Sequence, residues 1–183
     1  MSKLNLVFKS VFLLSTLLLI SCSTGFNMQG YNPYFATDYS TRLPQSIDTH
    51  GKKTVLVDPN VHAWGAYGTD GHLIRAGIAT AGGAVCPPDA NGTDCRTSIG
   101  TFQITSMGNG TCRSSIYPKP MGGGLMPYCM HFNNGQALHG APDPTLVEDN
   151  VSHGCVRMRI QDAEWMRYNF AQVGTKVVVR PYN

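Results

Sequence analysis

One stretch of this chain, residues 160–170, repeats its apolar side chains at helical spacing, with Asp162 and Glu164 early and Arg167 late, as a helix macrodipole prefers. Elsewhere the apolar runs are short and cut by Gly-, Asn- and Asp-rich turns, so strands are the main building unit. Val55-Leu56-Val57 reads as a short strand. Residues 63–67 and 72–79 flank Gly68-Thr69-Asp70-Gly71 as a hairpin, and Asn134-Gly135 closes a second hairpin between 131 and 136. Further strands are expected at 100–105, 129–132, 137–139 and 175–180. The pattern predicts a mainly β domain, a sandwich or barrel-like pair of sheets with one or two helices, and places Trp165 in the core.

The chemistry-bearing residues gather in Ser152-His153-Gly154-Cys155-Val156-Arg157-Met158, with Ala137-Leu138-His139-Gly140 upstream. A cysteine attacks as its thiolate, so it needs a base or a positive charge nearby, and either His139 or His153 supplies one. Glycine beside a nucleophile lets backbone N–H groups approach an oxygen that becomes negative, which makes the amides of Gly154 and Cys155 the oxyanion candidates. The bland alternative is a small buried cysteine among valines with two ordinary histidines.

These residues resemble the signature of L,D-transpeptidases, the bacterial cell-wall cross-linking enzymes with the YkuD-type catalytic domain. Gly100-Thr101-Phe102, Met126-Pro127-Tyr128 and Gly174-Thr175-Lys176-Val177-Val178-Val179 are similar to further segments of that family. The resemblance implies a β-sandwich with the active-site cysteine in a loop next to a helix, whose N-terminus would favour the thiolate. It implies Cys155 as nucleophile on the third-residue carbonyl of a peptidoglycan tetrapeptide stem, releasing D-alanine and forming a thioester. His139 is then the general base and His153 an orienting or substrate-contacting group. Arg157, Tyr128, Ser152 and Gly140 fall in the substrate-binding region, and no cofactor is implied. Two departures bear on substrate choice: Thr97-Ser98-Ile99 stands where the family has Thr-Pro before the Gly-Thr-Phe strand, and residues 141–151 lack the glycine common shortly before the motif. The acceptor is open: a stem amine, water in an L,D-carboxypeptidase or amidase, or none in a non-catalytic binding or adhesion module.

The chain starts with Lys3 and Lys9, then an apolar run over 11–20 too short to span a bilayer, and it reads as a signal peptide over 1–21. Leu19-Ile20-Ser21-Cys22 resembles a bacterial lipobox, which implies lipidation at Cys22 and a periplasmic protein held at the membrane. Ser23 after that cysteine favours the outer membrane in a cell that has one. Residues 22–51 read as a tether spanning roughly 30 Å, in which Tyr31, Tyr34, Phe35 and Tyr39 argue for some packing on the domain, and 52–183 as the catalytic domain. Without Lys3 and Lys9 the mature chain is nearly neutral, which argues against a nucleic-acid partner.

Setting Cys22 and Cys155 aside leaves four cysteines, an even number that suits two disulfides in an exported chain. Of three possible connectivities, Cys86–Cys95 around a turn-rich segment and Cys112–Cys129 around a Gly- and Pro-rich one are favoured. No close Cys or His pair with zinc spacing occurs, so no metal is expected.

Overall fold

The computed structural model describes residues 32–90 and 92–183. The expected signal peptide, Cys22 and the first part of the tether lie outside the described residues.

Two sheets are present. The first runs β3-β2-β1-β9-β4, built from β1 (Thr54–Asp58), β2 (Ala63–Tyr67), β3 (Leu73–Ile78), β4 (Gly100–Gln103) and β9 (Lys176–Val179). The second runs β5-β6-β7-β8, from β5 (Ser106–Met107), β6 (Met130–Asn133), β7 (Gln136–Ala141) and β8 (Val156–Arg159). One helix, α1 (Ile160–Trp165), continues into a wider π turn over Met166–Phe170. Among the described residues the architecture is mainly β with a single short helix, within the mainly β domain of one or two helices that the turn pattern predicts.

Between the sheets, Val55 and Val57 of β1 and Val177 and Val179 of β9 meet Leu138, Val156 and Met158 of the second sheet, with Ala163, Met166 and Phe170 at one end. The period-2 alternation explains this set, since one face of each strand points inward. The Asn134-Gly135 hairpin closes tightly because both residues take positive φ, 38° and 85°, as a type I′ turn requires. β7 and β8 are parallel, which demands a long connection, and residues 142–155 provide it.

One expectation is made more definite and two are corrected. The tether expected over 22–51 packs on the domain from Asn32 onward: 3-10 turns at Pro33–Ala36 and Tyr39–Arg42 place Tyr39 and Leu43 against Leu56 and Tyr67 on the outer face of the first sheet. Burying each such side chain contributes about 1.5–3 kcal/mol, enough to order a segment that carries several aromatics. Trp165 is only partly buried, stacked on Phe170 at 5.8 Å with Arg75 over its ring at 4.9 Å. Trp64 is the tryptophan of the core. Finally, Val156–Arg159 is a strand, its Val and Met inward and its arginines outward. Cys155 therefore precedes β8 rather than α1, and the helix N-terminus lies too far along the chain to favour a thiolate, since such an effect fades within about one turn.

Candidate active site

The register of the parallel β7–β8 pair sets Leu138 opposite Val156 and His139 opposite Arg157. Leu138 and Val156 face the core, so His139 and Arg157 share the other face, and Cys155, one residue before β8, joins them there. A cleft of about 240 Å³ lies over this face and is lined by all three. His153 and Ser152 also reach it, as do Pro142 and Thr145 from the β7–β8 connection and Tyr117, Leu125 and Met126 from the 112–129 loop.

His139 is buried, and its Nδ1 lies 2.8 Å from the Gly140 carbonyl oxygen. A carbonyl only accepts, so Nδ1 carries the proton and Nε2 keeps its lone pair in the neutral ring. Burial, helped by the nearby positive Arg157, holds this imidazole down at a pKa of about 4. The Cys155 thiol is pushed up by burial, while the Ala137 N–H and Arg157 pull it back. Its Sγ donates to the Gly135 carbonyl at 3.8 Å. In this geometry the thiol donates to a carbonyl and the imidazole keeps its proton on Nδ1, so each group rests in its neutral form.

The loop that aims Cys155 is tied down from within by Ser152 and from outside by residues far away in sequence. Ser152 Oγ accepts from the Gly154 N–H at 3.1 Å and donates to the Cys155 carbonyl at 2.5 Å. Thr97, fully buried, donates to the Gly154 carbonyl and accepts from the Gly82 N–H, each at 3.0 Å. Tyr182 closes the set, accepting from the Thr97 N–H at 3.0 Å and donating to the Gly82 carbonyl at 2.7 Å. Gly154 sits at φ 114°, where a side chain would be strained. A Cβ there would also stand 3.1 Å from Gln136 Nε2.

Two disulfide-closed loops flank the cleft, Cys86–Cys95 and Cys112–Cys129. Cys155 is the free cysteine among the described residues. From these loops Asp89 and Tyr117 both reach the His153 ring.

Several sequence expectations change at this level. Tyr128, expected among the substrate contacts, turns to the helix side, where its hydroxyl donates to Glu164 Oε1 at 2.8 Å and its ring meets Tyr168 edge-on. Gly140 serves His139 through its carbonyl, and its Cα faces Ile160, where a Cβ would come within 3.0 Å of backbone. Ser152 borders the cleft, yet its hydroxyl is occupied within the motif loop. The Gly154 N–H is likewise taken, which removes it from the oxyanion candidates and leaves the Cys155 amide. Thr97, Asp89 and Tyr117 reach the motif, and Tyr182 reaches Thr97, across long stretches of chain, so none of them carried a local signal.

The model of the YkuD family, described as the L,D-transpeptidase catalytic domain, matches residues 52–179. Among solved structures, an L,D-transpeptidase from Xylanimonas cellulosilytica DSM 15894 superposes with a TM-score of 0.63 at 23% identity, covering 76% of this chain and 66% of that one. One from Stackebrandtia nassauensis gives 0.57 at 24% identity, covering 75% and 60%. At these identities the likeness speaks for the fold. A protein of Mycobacterium tuberculosis (strain ATCC 25618 / H37Rv) named "Probable L,D-transpeptidase 3" is 42% identical over 50 residues, 26% of this chain and 18% of that protein. The chain therefore spans less than two thirds of each of these relatives.

Proposed function

Because this chain belongs to the L,D-transpeptidase catalytic domain family, we propose that it is a cysteine acyltransferase acting on peptidoglycan stem peptides. The observation that carries this reading is the shared placement of Cys155 and His139 on one sheet face, with the His139 ring oriented so that Nε2 is the bare nitrogen.

The chemistry follows from those neutral groups. As the Cys155 sulfur attacks the carbonyl carbon of the third stem residue, its proton passes to His139 Nε2, so charge appears only as the bond forms. The carbonyl oxygen becomes negative beside the Cys155 N–H, a donor whose removal typically costs about 3–4 kcal/mol in the transition state. Collapse breaks the C–N bond, the imidazolium returns its proton to the leaving D-alanine amine, and the stem remains as a thioester. An acceptor amine then attacks the thioester, giving its proton to His139, and the sulfur recovers it. Arg157, half-buried at the cleft wall, offers a carboxylate a planar pair of donors.

Export and lipid attachment through Cys22 form part of the same proposal, supported by the apolar leader and by two disulfides, which persist in oxidising compartments. At most about 35 Å of extended chain could separate Cys22 from Asn32, a residue packed on the domain, so the anchored cleft would work close to its membrane.

Intact mass spectrometry after incubation with a tetrapeptide donor tests the reading. Native protein should gain the tripeptide acyl mass and Cys155→Ala should not; an unmodified native protein would sink it. Muropeptide analysis then identifies the acceptor, with new links between third residues indicating transfer and shortened stems alone indicating water.

A further inference from the structure

The His153 ring is gripped from two sides by parts of the chain that belong to neither sheet. Its Nε2 donates to Asp89 Oδ1 at 2.6 Å, and the Tyr117 ring lies on its face with centroids 4.0 Å apart and planes inclined by 31°. Asp89 belongs to the loop closed by Cys86–Cys95, and Tyr117 to the loop closed by Cys112–Cys129. Asp89, Tyr117 and His153 all line the cleft over Cys155.

Building on the acyl-transfer reading above, we propose that Asp89 and Tyr117 are positioning residues that act through His153: the two disulfide-closed loops meet on this ring and hold it over the cleft, and that hold sets the rate at which Cys155 is acylated. The backbone of the motif loop has its own anchors in Ser152 and Thr97, but neither restrains the imidazole. A histidine turns about two side-chain torsions, and a ring free to turn presents its nitrogens to the cleft only part of the time. A charge-assisted hydrogen bond selects one edge of the ring, and a stacked aromatic selects its plane. Because a carboxylate accepts, Nε2 carries a proton, and in the neutral ring Nδ1 is the bare nitrogen. The hydrogen bond from His153 also holds the Asp89 carboxyl below its ordinary range, so the acceptor is ionised at neutral pH. Each gripping residue sits in a short closed loop, with disulfide partners 9 and 17 positions apart, which limits how far either can drift from the ring.

The decisive experiment is a double-mutant cycle on the rate of Cys155 acylation by a carbapenem, read by intact mass, in the full folded chain. If Asp89 acts through the ring, Asp89→Ala should slow acylation about tenfold in the native background and by less than about twofold when His153→Ala is already present. Tyr117→Ala should show the same pattern, with Tyr117→Phe restoring most of the lost rate. Equal losses in both backgrounds, or no loss in the native one, would overturn the proposal. A second readout does not depend on activity: the ring N–H proton of His153 should give a downfield NMR signal in the native protein that disappears in Asp89→Ala, and its persistence there would also overturn it. Native protein that keeps this signal, loses it in Asp89→Ala and takes no acyl group would sustain the anchoring while removing the acyl-transfer reading.

Discussion

His139 and Arg157 stand opposite each other across the parallel β7–β8 ladder, and the guanidinium acts on both partners of the proposed proton transfer. Its positive charge adds to burial in keeping His139 neutral, and it opposes burial at Cys155 by favouring the thiolate.

Replacing Arg157 with methionine should therefore push the Cys155 thiol higher still. Alkylation by iodoacetamide followed against pH is expected to show its midpoint move upward in Arg157→Met and return toward the native value in Arg157→Lys. An unmoved midpoint would mean that the guanidinium has no electrical influence on the sulfur.

Thr97 holds the motif loop from the opposite side, pairing with the Gly154 carbonyl and the Gly82 N–H in a fully buried place. Thr97→Val keeps the shape and removes the hydroxyl, leaving two buried backbone groups unpaired. A loss of about 1–3 kcal/mol per unsatisfied group is expected in urea unfolding, together with slower acylation of Cys155. Retained stability would show that water or a backbone shift replaces the threonine.

What the sequence made legible is what depends on near neighbours. The Asn134-Gly135 turn, the alternation that buries Val177 and Val179, and the helical start at Ile160 each follow from residues a few positions apart. Val156-Arg157-Met158-Arg159 also alternates, but four residues that include two arginines make a weak strand signal. The direction in which Tyr128 turns was not legible in its own segment, because Glu164 and Tyr168, which take its hydroxyl and its ring, lie far along the chain on the helix side. The anchors of the motif were illegible for a topological reason. Thr97 and Asp89 lie 57 and 64 positions from the residues they hold, and only folding brings them together.

Burial of His139 makes the fold sensitive to acid. Its folded pKa of about 4 lies below the unfolded value near 6.5, so between these values the unfolded chain binds more protons and stability falls as pH falls. The contribution is intact above about pH 6.5, is lost progressively toward pH 4, and amounts to about 3 kcal/mol when complete. Urea midpoints measured from pH 7.5 to 4 should decline in the native protein and decline less in His139→Gln. Parallel declines would place the acid sensitivity in other groups.

The clamp at the start of the described chain reaches the site through one side chain. Asn32 is buried, and its Nδ2 donates to the Asp143 and Leu146 carbonyls, each at 2.8 Å. These carbonyls belong to the connection whose Pro142 and Thr145 form one wall of the cleft. Asn32→Ala leaves both without that donor, and one of the two bonds is fully buried, so a loss of about 1–3 kcal/mol is expected in urea unfolding. A loosened wall should weaken donor binding more than the chemical step, because His139 is held by the β7–β8 ladder and the Cys155 turn by Ser152 and Thr97, none of which Asn32 touches. Single-turnover acylation at increasing tetrapeptide concentration separates the two effects. The expected result is a higher half-saturating concentration with a limiting rate near that of the native protein, whereas a fall in the limiting rate alone would show that the N-terminal segment acts on the catalytic pair itself.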